Sequence, residues 1–314
     1  MGPATSPNTA PPALTSGPTS NACSSATPSK PIRPTAGLRV ESHYDLAMAT
    51  EVSTVTLGSG LDLSYMEQGD PSGPALVLLP GPTDSLWSYQ SVLERIPPSI
   101  RTVAVSQRGH GDSDRPPNGY QVGDFAADVV PLLDALRIER AVLAGHSGSC
   151  LVARRVAIDA PERVAGLVLE ASPTTLQGDT GLQEFVDSVI SGLEDPIDPG
   201  FARSFVIDTS FRGIEPDVVD RLVGELLKVP ARVWREMFEG LAQYNDMDEL
   251  GRIAAPALLI WGDADELVGR EMQEQMAGCM SGAELIVYEG VGHTPRWEGP
   301  ARFAADVSAF VAQC

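Results

Sequence analysis

The chain has 314 residues, of which 43% are hydrophobic, and this is enough for one large α/β domain or two smaller ones. Its formal net charge of −20 argues against nucleic acid and anionic membrane surfaces as partners, and no apolar run is long enough to span a membrane. The four cysteines, at positions 23, 150, 279 and 314, lack the spacing of a zinc site or a disulfide framework. We therefore expect a soluble protein of a reducing, cytoplasmic compartment.

Residues 1–50 are rich in Pro, Ser, Thr and Ala and contain little apolar surface that could stabilise an ordered backbone, so we predict a disordered tail. This segment lacks a basic stretch followed by a continuous apolar one, and it is therefore not a convincing secretory signal.

The folded part is predicted to open with an antiparallel hairpin, because residues 51–57 and 61–67 alternate around Gly58-Ser59-Gly60. Buried strands follow at 75–79 and 102–105. Helical patterns cover 87–96 and 122–136, and Pro131 should bend the second helix.

Residues 141–150 read Ala-Val-Leu-Ala-Gly-His-Ser-Gly-Ser-Cys, an apolar strand that breaks abruptly before a predicted helix. Glycines beside Ser147 would allow a tight strand-to-helix turn that projects its hydroxyl, as in a nucleophile elbow. The usual pattern is G-x-S-x-G, and Ser149 replaces the last glycine here. An ordinary helix capped by a serine is the alternative interpretation.

After a strand at 164–169, the alternation of strand and helix stops. Residues 175–245 carry three helical patterns without a strand, and strands resume at 257–261 and 283–288, with helices near 270–280 and 300–311. We predict a mostly parallel, doubly wound α/β sheet with an antiparallel N-terminal hairpin and an inserted helical cap. The predicted domains are a core in two parts, 51–174 and 246–314, and the cap, 175–245.

Ligands of open α/β sheets bind at the carboxyl ends of the strands, where polar residues are candidates for chemistry. Ser147, Asp265 and His293 each follow a predicted strand, and they occur in the order serine, acid, histidine.

Several motifs together resemble those of an α/β-hydrolase with a helical cap, in its esterase, lactonase and haloperoxidase-like branch. They are Pro-Gly at 80–81, R-G-x-G-x-S at 108–113, the elbow, W-G-x-x-D at 261–265 and G-H-x-x-x-x-E-x-P at 292–300. The resemblance covers roughly residues 52–311.

This resemblance implies that Ser147 attacks a carbonyl, His293 takes and returns its proton, and Asp265 orients the imidazole. Asp263 and Glu170 are the alternative acids. The implied reaction is cofactor-independent cleavage of a small or medium apolar ester or lactone through an acyl-enzyme.

The resemblance also implies that the oxyanion is bound by the backbone N–H of Gly148 and by an N–H of the segment after the third strand. Pro82 stands at the usual second position and has no N–H. Gly81, Thr83 or the Ser85 side chain could substitute, or the enzyme could be slow, or the protein could only bind a ligand.

Trp87, His146, Trp234 and Phe238 are the candidates for the substrate pocket, although His146 is expected to pack away from the cleft. Trp87 could instead pack under the pocket, and Trp234 and Phe238 could instead belong to the core. The sequence contains no motif for a nucleotide, phosphate or metal, so we expect no cofactor and a small-molecule substrate as the partner, with the oligomeric state open. The alternative functions are a cofactor-free haloperoxidase-like or C–C bond hydrolase activity, or a ligand receptor on a hydrolase scaffold.

Overall fold

The computed structural model describes residues 51–314, and the predicted tail at 1–50 lies outside them. Within the described residues, no helix combines the length and the apolar character that crossing a membrane requires.

The core is a single eight-stranded sheet with the order β1-β2-β4-β3-β5-β6-β7-β8. The strands are β1 Ser53–Thr56, β2 Asp62–Gln68, β3 Ala75–Leu79, β4 Arg101–Val105, β5 Ala141–His146, β6 Val164–Glu170, β7 Ala257–Gly262 and β8 Ala283–Tyr288. β2 pairs antiparallel with both β1 and β4, whereas the remaining neighbours are parallel. The predicted fold class is confirmed.

Alternate residues of each central strand point to opposite faces of the sheet and are buried on both. Helices therefore cover both faces. In β3, Val77 and Leu79 belong to one apolar cluster, while Leu76 and Leu78 belong to the other. The helices outside the β6–β7 connection are α1 Gln90–Leu93, α2 Val122–Ala135, α3 Gly148–Asp159, α8 Arg270–Cys279, α9 Pro295–Glu298 and α10 Pro300–Val311. α2 continues past Pro131.

The β6–β7 connection forms α4 Thr180–Ser188, α5 Pro199–Ile207, α6 Pro216–Leu226 and α7 Ala231–Gln243. Asp179 and Asp198 cap the first two of these helices by accepting a backbone N–H. α6 and α7 each bury one apolar face, as amphipathic helices packed over a core do. Residues of α4, α5 and α7 line one cavity together with Ser147 and His293, so these three helices lie over the carboxyl ends of the strands.

A buried arginine on α3 holds the two places where the chain passes between the core and the helical connection. The Arg154 guanidinium donates to the Asp246 carboxylate at 2.5 and 3.1 Å, after the last helix of the connection. It also donates to the carbonyls of Pro173 and Thr174, before the first one, at 2.8 and 2.7 Å. Removing one partner of such a pair leaves an uncompensated buried charge, which costs about 3–5 kcal/mol.

Candidate active site

Ser147 occupies a strained turn between β5 and α3. Its φ of 52° and ψ of −124° lie in a region that side chains other than glycine rarely adopt. The turn is tight, because a Cβ added at Gly145 would lie 2.5 Å from the Ser149 carbonyl oxygen. The Ser147 N–H donates to the Glu170 carbonyl at 2.9 Å, which ties the turn to the end of β6.

Ser149, which replaces the glycine of the usual motif, ties the elbow to the segment after β3. Its hydroxyl donates to the Pro80 carbonyl at 2.5 Å and accepts from the Gln107 side-chain amide at 2.9 Å. The side chain of Ser149 therefore forms hydrogen bonds that the usual glycine at this position could not form.

Asp265 holds His293 from the side away from the cavity. The Asp265 Oδ2 atom lies 2.9 Å from Nδ1 of His293, and both side chains are almost fully buried. The other oxygen, Oδ1, accepts the backbone N–H groups of Leu267 and Val268 at 2.8 and 3.0 Å. A carboxylate only accepts hydrogen bonds, so Nδ1 is the donor, and in the neutral imidazole the lone pair then lies on the His293 Nε2 atom.

The two alternative acids are engaged elsewhere. Asp263 Oδ1 accepts the backbone N–H of Gly290 at 2.5 Å. Glu170 accepts the backbone N–H of Arg296 at 2.8 Å and lies 3.4 Å from its guanidinium. Of these three acids, Asp265 is therefore the one bonded to the His293 ring.

The segment after β3 packs directly against the start of α3. A Cβ added at Gly148 would lie 2.9 Å from the Pro82 ring, and both residues line the same cavity as Ser147. The Gly148 N–H opens α3, where a helix has no internal acceptor for it. Gly81 lies against the imidazole of His146.

The expectation for Thr83 as an oxyanion donor is wrong, because its backbone N–H donates to Nε2 of His110 at 3.2 Å. The Ser85 hydroxyl accepts the backbone N–H of Trp87 at 3.3 Å, and Ser85 is not among the described residues that line the cavity. Among the expected donors, the Gly148 N–H remains the one placed at the elbow.

A cavity of about 820 Å³, counted to its open mouth, lies between the elbow and the helices of the β6–β7 connection. Ser147 and His293 both line it. Its wall is largely apolar and includes Leu182, Phe185, Phe205, Val206, Phe238 and Leu241. The other polar groups are Asp84, His146, Thr209 and Thr294. Among the described residues no lysine or arginine lines it, so the cavity favours uncharged or cationic groups.

A buried cluster of charges borders this cavity. The Arg296 guanidinium donates to Asp84 Oδ2 at 2.7 Å, contacts Glu170 at 3.4 Å and donates to the Ser88 hydroxyl at 2.9 Å. Burial raises the pKa of both carboxyl groups, and the ion pairs with Arg296 oppose that rise. Asp84 was not among the predicted site residues, although its position just after β3 was the available signal.

Two of the four expected pocket residues line the cavity. Phe238 does, as expected, and so does His146, whose expected orientation away from the cleft is wrong. Trp87 and Trp234 do not line it among the described residues, which corrects those two expectations. Trp234 packs behind Phe205 and Phe238, with ring centroids 5.0 and 5.8 Å away, and Trp87 lies under the guanidinium of Arg221 at 4.4 Å.

His146 supports the histidine loop rather than acting as a base. Its Nε2 atom lies 3.0 Å from the His293 carbonyl oxygen, so this nitrogen is the donor. Burial lowers the pKa of His146 well below its ordinary value, which keeps the ring neutral. The two imidazoles meet edge to face, with their centroids 4.9 Å apart.

The connection after α5 also contacts the histidine loop. The Ser210 and Thr294 hydroxyls lie 2.6 Å apart, and the Arg212 guanidinium donates to the carbonyls of Glu289 and Gly290 at 2.6 Å each. Within the described residues, no cluster of His, Cys, Asp and Glu side chains is arranged to hold a metal ion.

Comparisons with known proteins agree with this architecture. The family described as the alpha/beta hydrolase fold matches residues 74–300. The chain is 29% identical to a non-heme chloroperoxidase of Streptomyces lividans, over 83% of this chain and 99% of that protein. It is also 29% identical to a 2-hydroxy-6-oxononadienedioate/2-hydroxy-6-oxononatrienedioate hydrolase of Paraburkholderia xenovorans, over 85% and 99%. An esterase structure from Exiguobacterium antarcticum shares the fold, with a TM-score of 0.75 and 20% identity over 83% of this chain and 99% of that one.

Proposed function

The chain belongs to the α/β-hydrolase fold family, and from that premise we propose that it is a cofactor-independent serine hydrolase that cleaves apolar esters or lactones. In this proposal Ser147 forms the acyl-enzyme, His293 transfers the proton, and Asp265 orients the imidazole. Residues 175–245 act as a cap domain that roofs the cavity and selects the substrate.

The observation that carries the proposal is the orientation of His293. Because Asp265 fixes Nδ1 as a donor, the lone pair of Nε2 is available to a serine that lines the same cavity. A serine hydroxyl is a poor nucleophile without such a base, and Ser147, at the strained turn of the elbow, lines the same cavity as His293.

The cavity wall disfavours a negatively charged acyl group. The apolar residues on α4, α5 and α7 surround the space next to the elbow. The Paraburkholderia xenovorans relative is named for dioate substrates, which carry two carboxylates. Burying a carboxylate in this cavity would lack a lysine or arginine partner among the described lining residues, and that is costly.

Labelling with a fluorophosphonate probe tests the proposal. The wild-type protein should react at Ser147 and hydrolyse p-nitrophenyl esters of short and medium acyl chains. Ser147→Ala should lose both properties, whereas Ser149→Ala should still accept the label. Full ester turnover by Ser147→Ala would refute the assignment of the nucleophile.

A second candidate function is a haloperoxidase-like reaction, favoured by the similarity to the Streptomyces lividans chloroperoxidase. In this alternative the cavity would use the same serine with a small carboxylic acid and peroxide. Comparing ester turnover with peroxide-dependent bromination in one preparation separates the two. Bromination that exceeds ester hydrolysis would favour the alternative.

A further inference from the structure

We propose that Asp84 determines substrate specificity: its free carboxylate oxygen receives a hydrogen bond from the substrate, so that esters and lactones bearing an ammonium group are preferred, followed by those bearing a hydroxyl. This inference rests on the proposed hydrolase function and names the class of substrate for the same cavity.

The first support is the asymmetry of the hydrogen bonds to the two carboxylate oxygens. Oδ2 accepts from the Arg296 guanidinium at 2.7 Å and from the Ser88 hydroxyl at 2.9 Å. Within the part of the chain that the structure describes, Oδ1 has no hydrogen-bond partner, although the side chain is only 10% exposed and lines the cavity. Oδ1 is not one of the fully buried atoms, so it is open to the cavity and can accept a hydrogen bond from a ligand donor in place of water.

The second support is the balance of charge. The Arg296 guanidinium faces two carboxyl groups, those of Asp84 and Glu170, so one cation neutralises two acids only in part. Glu170 is sealed at the end of β6, with 1% of its side chain exposed. Asp84 is therefore the acid of this pair that a ligand can reach.

The third support is the composition of the wall. Among the described lining residues, Asp84 is the only acid, and its ion-pair partner Arg296, which is not one of them, contacts Oδ2 and leaves Oδ1 to a ligand. The remaining wall is largely apolar, so water screens the carboxylate less than it would at the surface. An ammonium group gains a partner here, whereas a carboxylate meets a like charge.

The fourth support is the rigid position of Asp84 relative to the elbow. Its backbone N–H donates to the Gly81 carbonyl at 3.1 Å, inside the segment whose Pro82 packs on Gly148. Asp84 and the Ser147 elbow thus belong to one rigid unit, and the carboxylate can orient an acyl group toward the serine.

Binding of three matched ligands tests the inference without relying on turnover. Calorimetry with 4-phenylbutylamine, 4-phenylbutanol and 4-phenylbutyrate should rank them in that order, with Kd values for the amine and the carboxylate at least about tenfold apart. In Asp84→Asn, the amide oxygen can still accept from Arg296 and Ser88, while the amide N–H₂ takes the position of the free oxygen. The preference for the amine over the carboxylate should then fall by about tenfold.

Glu94→Gln is the matched control, because it removes the same charge from an exposed side chain. It should keep the wild-type ranking, which separates a local contact from the net charge of the chain. Asp84→Ser is the second variant in case the amide does not give a cooperative melting transition, and it should also lose the preference. Equal binding of amine and carboxylate by the wild type, or an unchanged ratio in both Asp84 variants, would overturn the inference.

The same ranking should appear in kcat/KM for esters that differ only in an ammonium, hydroxyl or carboxylate substituent on the acyl chain. If the fluorophosphonate probe fails to label Ser147, the proposed hydrolase function fails, whatever the ligand ranking. If labelling succeeds and the ranking is absent, only the role of Asp84 fails.

Discussion

The backbone N–H of His293 donates to the carbonyl oxygen of Thr209 at 3.1 Å, so the loop that carries the proposed base is hydrogen-bonded to the helical connection above it. Thr209 itself lines the cavity, and Arg212 reinforces the contact through two carbonyls of the same loop. The position of the imidazole therefore depends on the position of residues 207–214.

Arg212→Ala should lower kcat/KM for a p-nitrophenyl ester by roughly threefold to tenfold, because a small displacement of the His293 imidazole slows the reaction. Arg212 lies on the surface, so the melting temperature should change little. Arg203→Ala removes another exposed arginine of the same connection, paired with Asp220, and should leave kcat/KM unchanged. Equal changes in kcat/KM for the two substitutions would show that the contact between Arg212 and the histidine loop does not affect catalysis.

Asp265→Asn should reduce kcat by about 10³- to 10⁴-fold, because an amide can stabilise the wrong tautomer of His293. Asp263→Asn, which alters a hydrogen bond to the Gly290 backbone, should have a much smaller effect. Steady-state kinetics on one ester compare them. A larger loss in the Asp263 variant would reassign the acid.

Pro82→Ala should raise kcat by about tenfold or more, because it restores a backbone N–H at the position usually used to bind the oxyanion, and one such donor is worth about 10²–10³ in turnover. The Pro82 ring faces Gly148 and the cavity, so the smaller side chain also removes a contact. The kinetics should be measured on a short-chain ester, because its small acyl group does not reach into the space left by the Pro82 ring. A fall in kcat would indicate that Pro82 already holds the segment in its best position.

Acid should destabilise the fold through His110. Burial lowers the pKa of His110 from 6.5 to about 4, and its Nε2 atom must stay unprotonated to accept the Thr83 N–H. Between these two values the unfolded chain binds more protons, so the free energy of unfolding falls as the pH falls. The loss of unfolding free energy is at most about 3.5 kcal/mol, at about 1.4 kcal/mol per pH unit.

Urea unfolding between pH 7 and pH 4.5 measures this loss, and His110→Gln should flatten the dependence. The slope should not vanish, since the lowered pKa of His146 contributes with the same sign. Identical slopes for wild type and variant would exclude His110 as the source.

Local sequence signals predicted the parts of the site that lie next to strand ends. The strands before Ser147 and Asp265 could be predicted because buried parallel strands are continuously apolar. β8, before His293, is a partly exposed edge strand, but it contains the apolar run Leu-Ile-Val-Tyr. The strand order then brings the ends together without further information.

Contacts between distant segments could not be predicted in the same way. Asp84 and Arg296 are 212 residues apart, and no periodicity relates them. Trp234 and Phe238 share one face of α7, so helical spacing treats them alike, yet Phe205 from α5 packs beside both and Phe238 alone of the pair reaches the cavity. The Thr83 N–H is bonded to His110, which lies 27 residues later in the sequence, and local sequence gave no sign of that contact.

The Arg154 guanidinium bears on the helices that line the cavity. It binds carbonyls of the segment that leaves the core and a carboxylate of the segment that returns to it. Both ends of the helical connection are therefore held at one point of the core. Substitution of Arg154 would release both ends of the connection at once. The helices that line the cavity therefore depend on a residue that is not among the described lining residues.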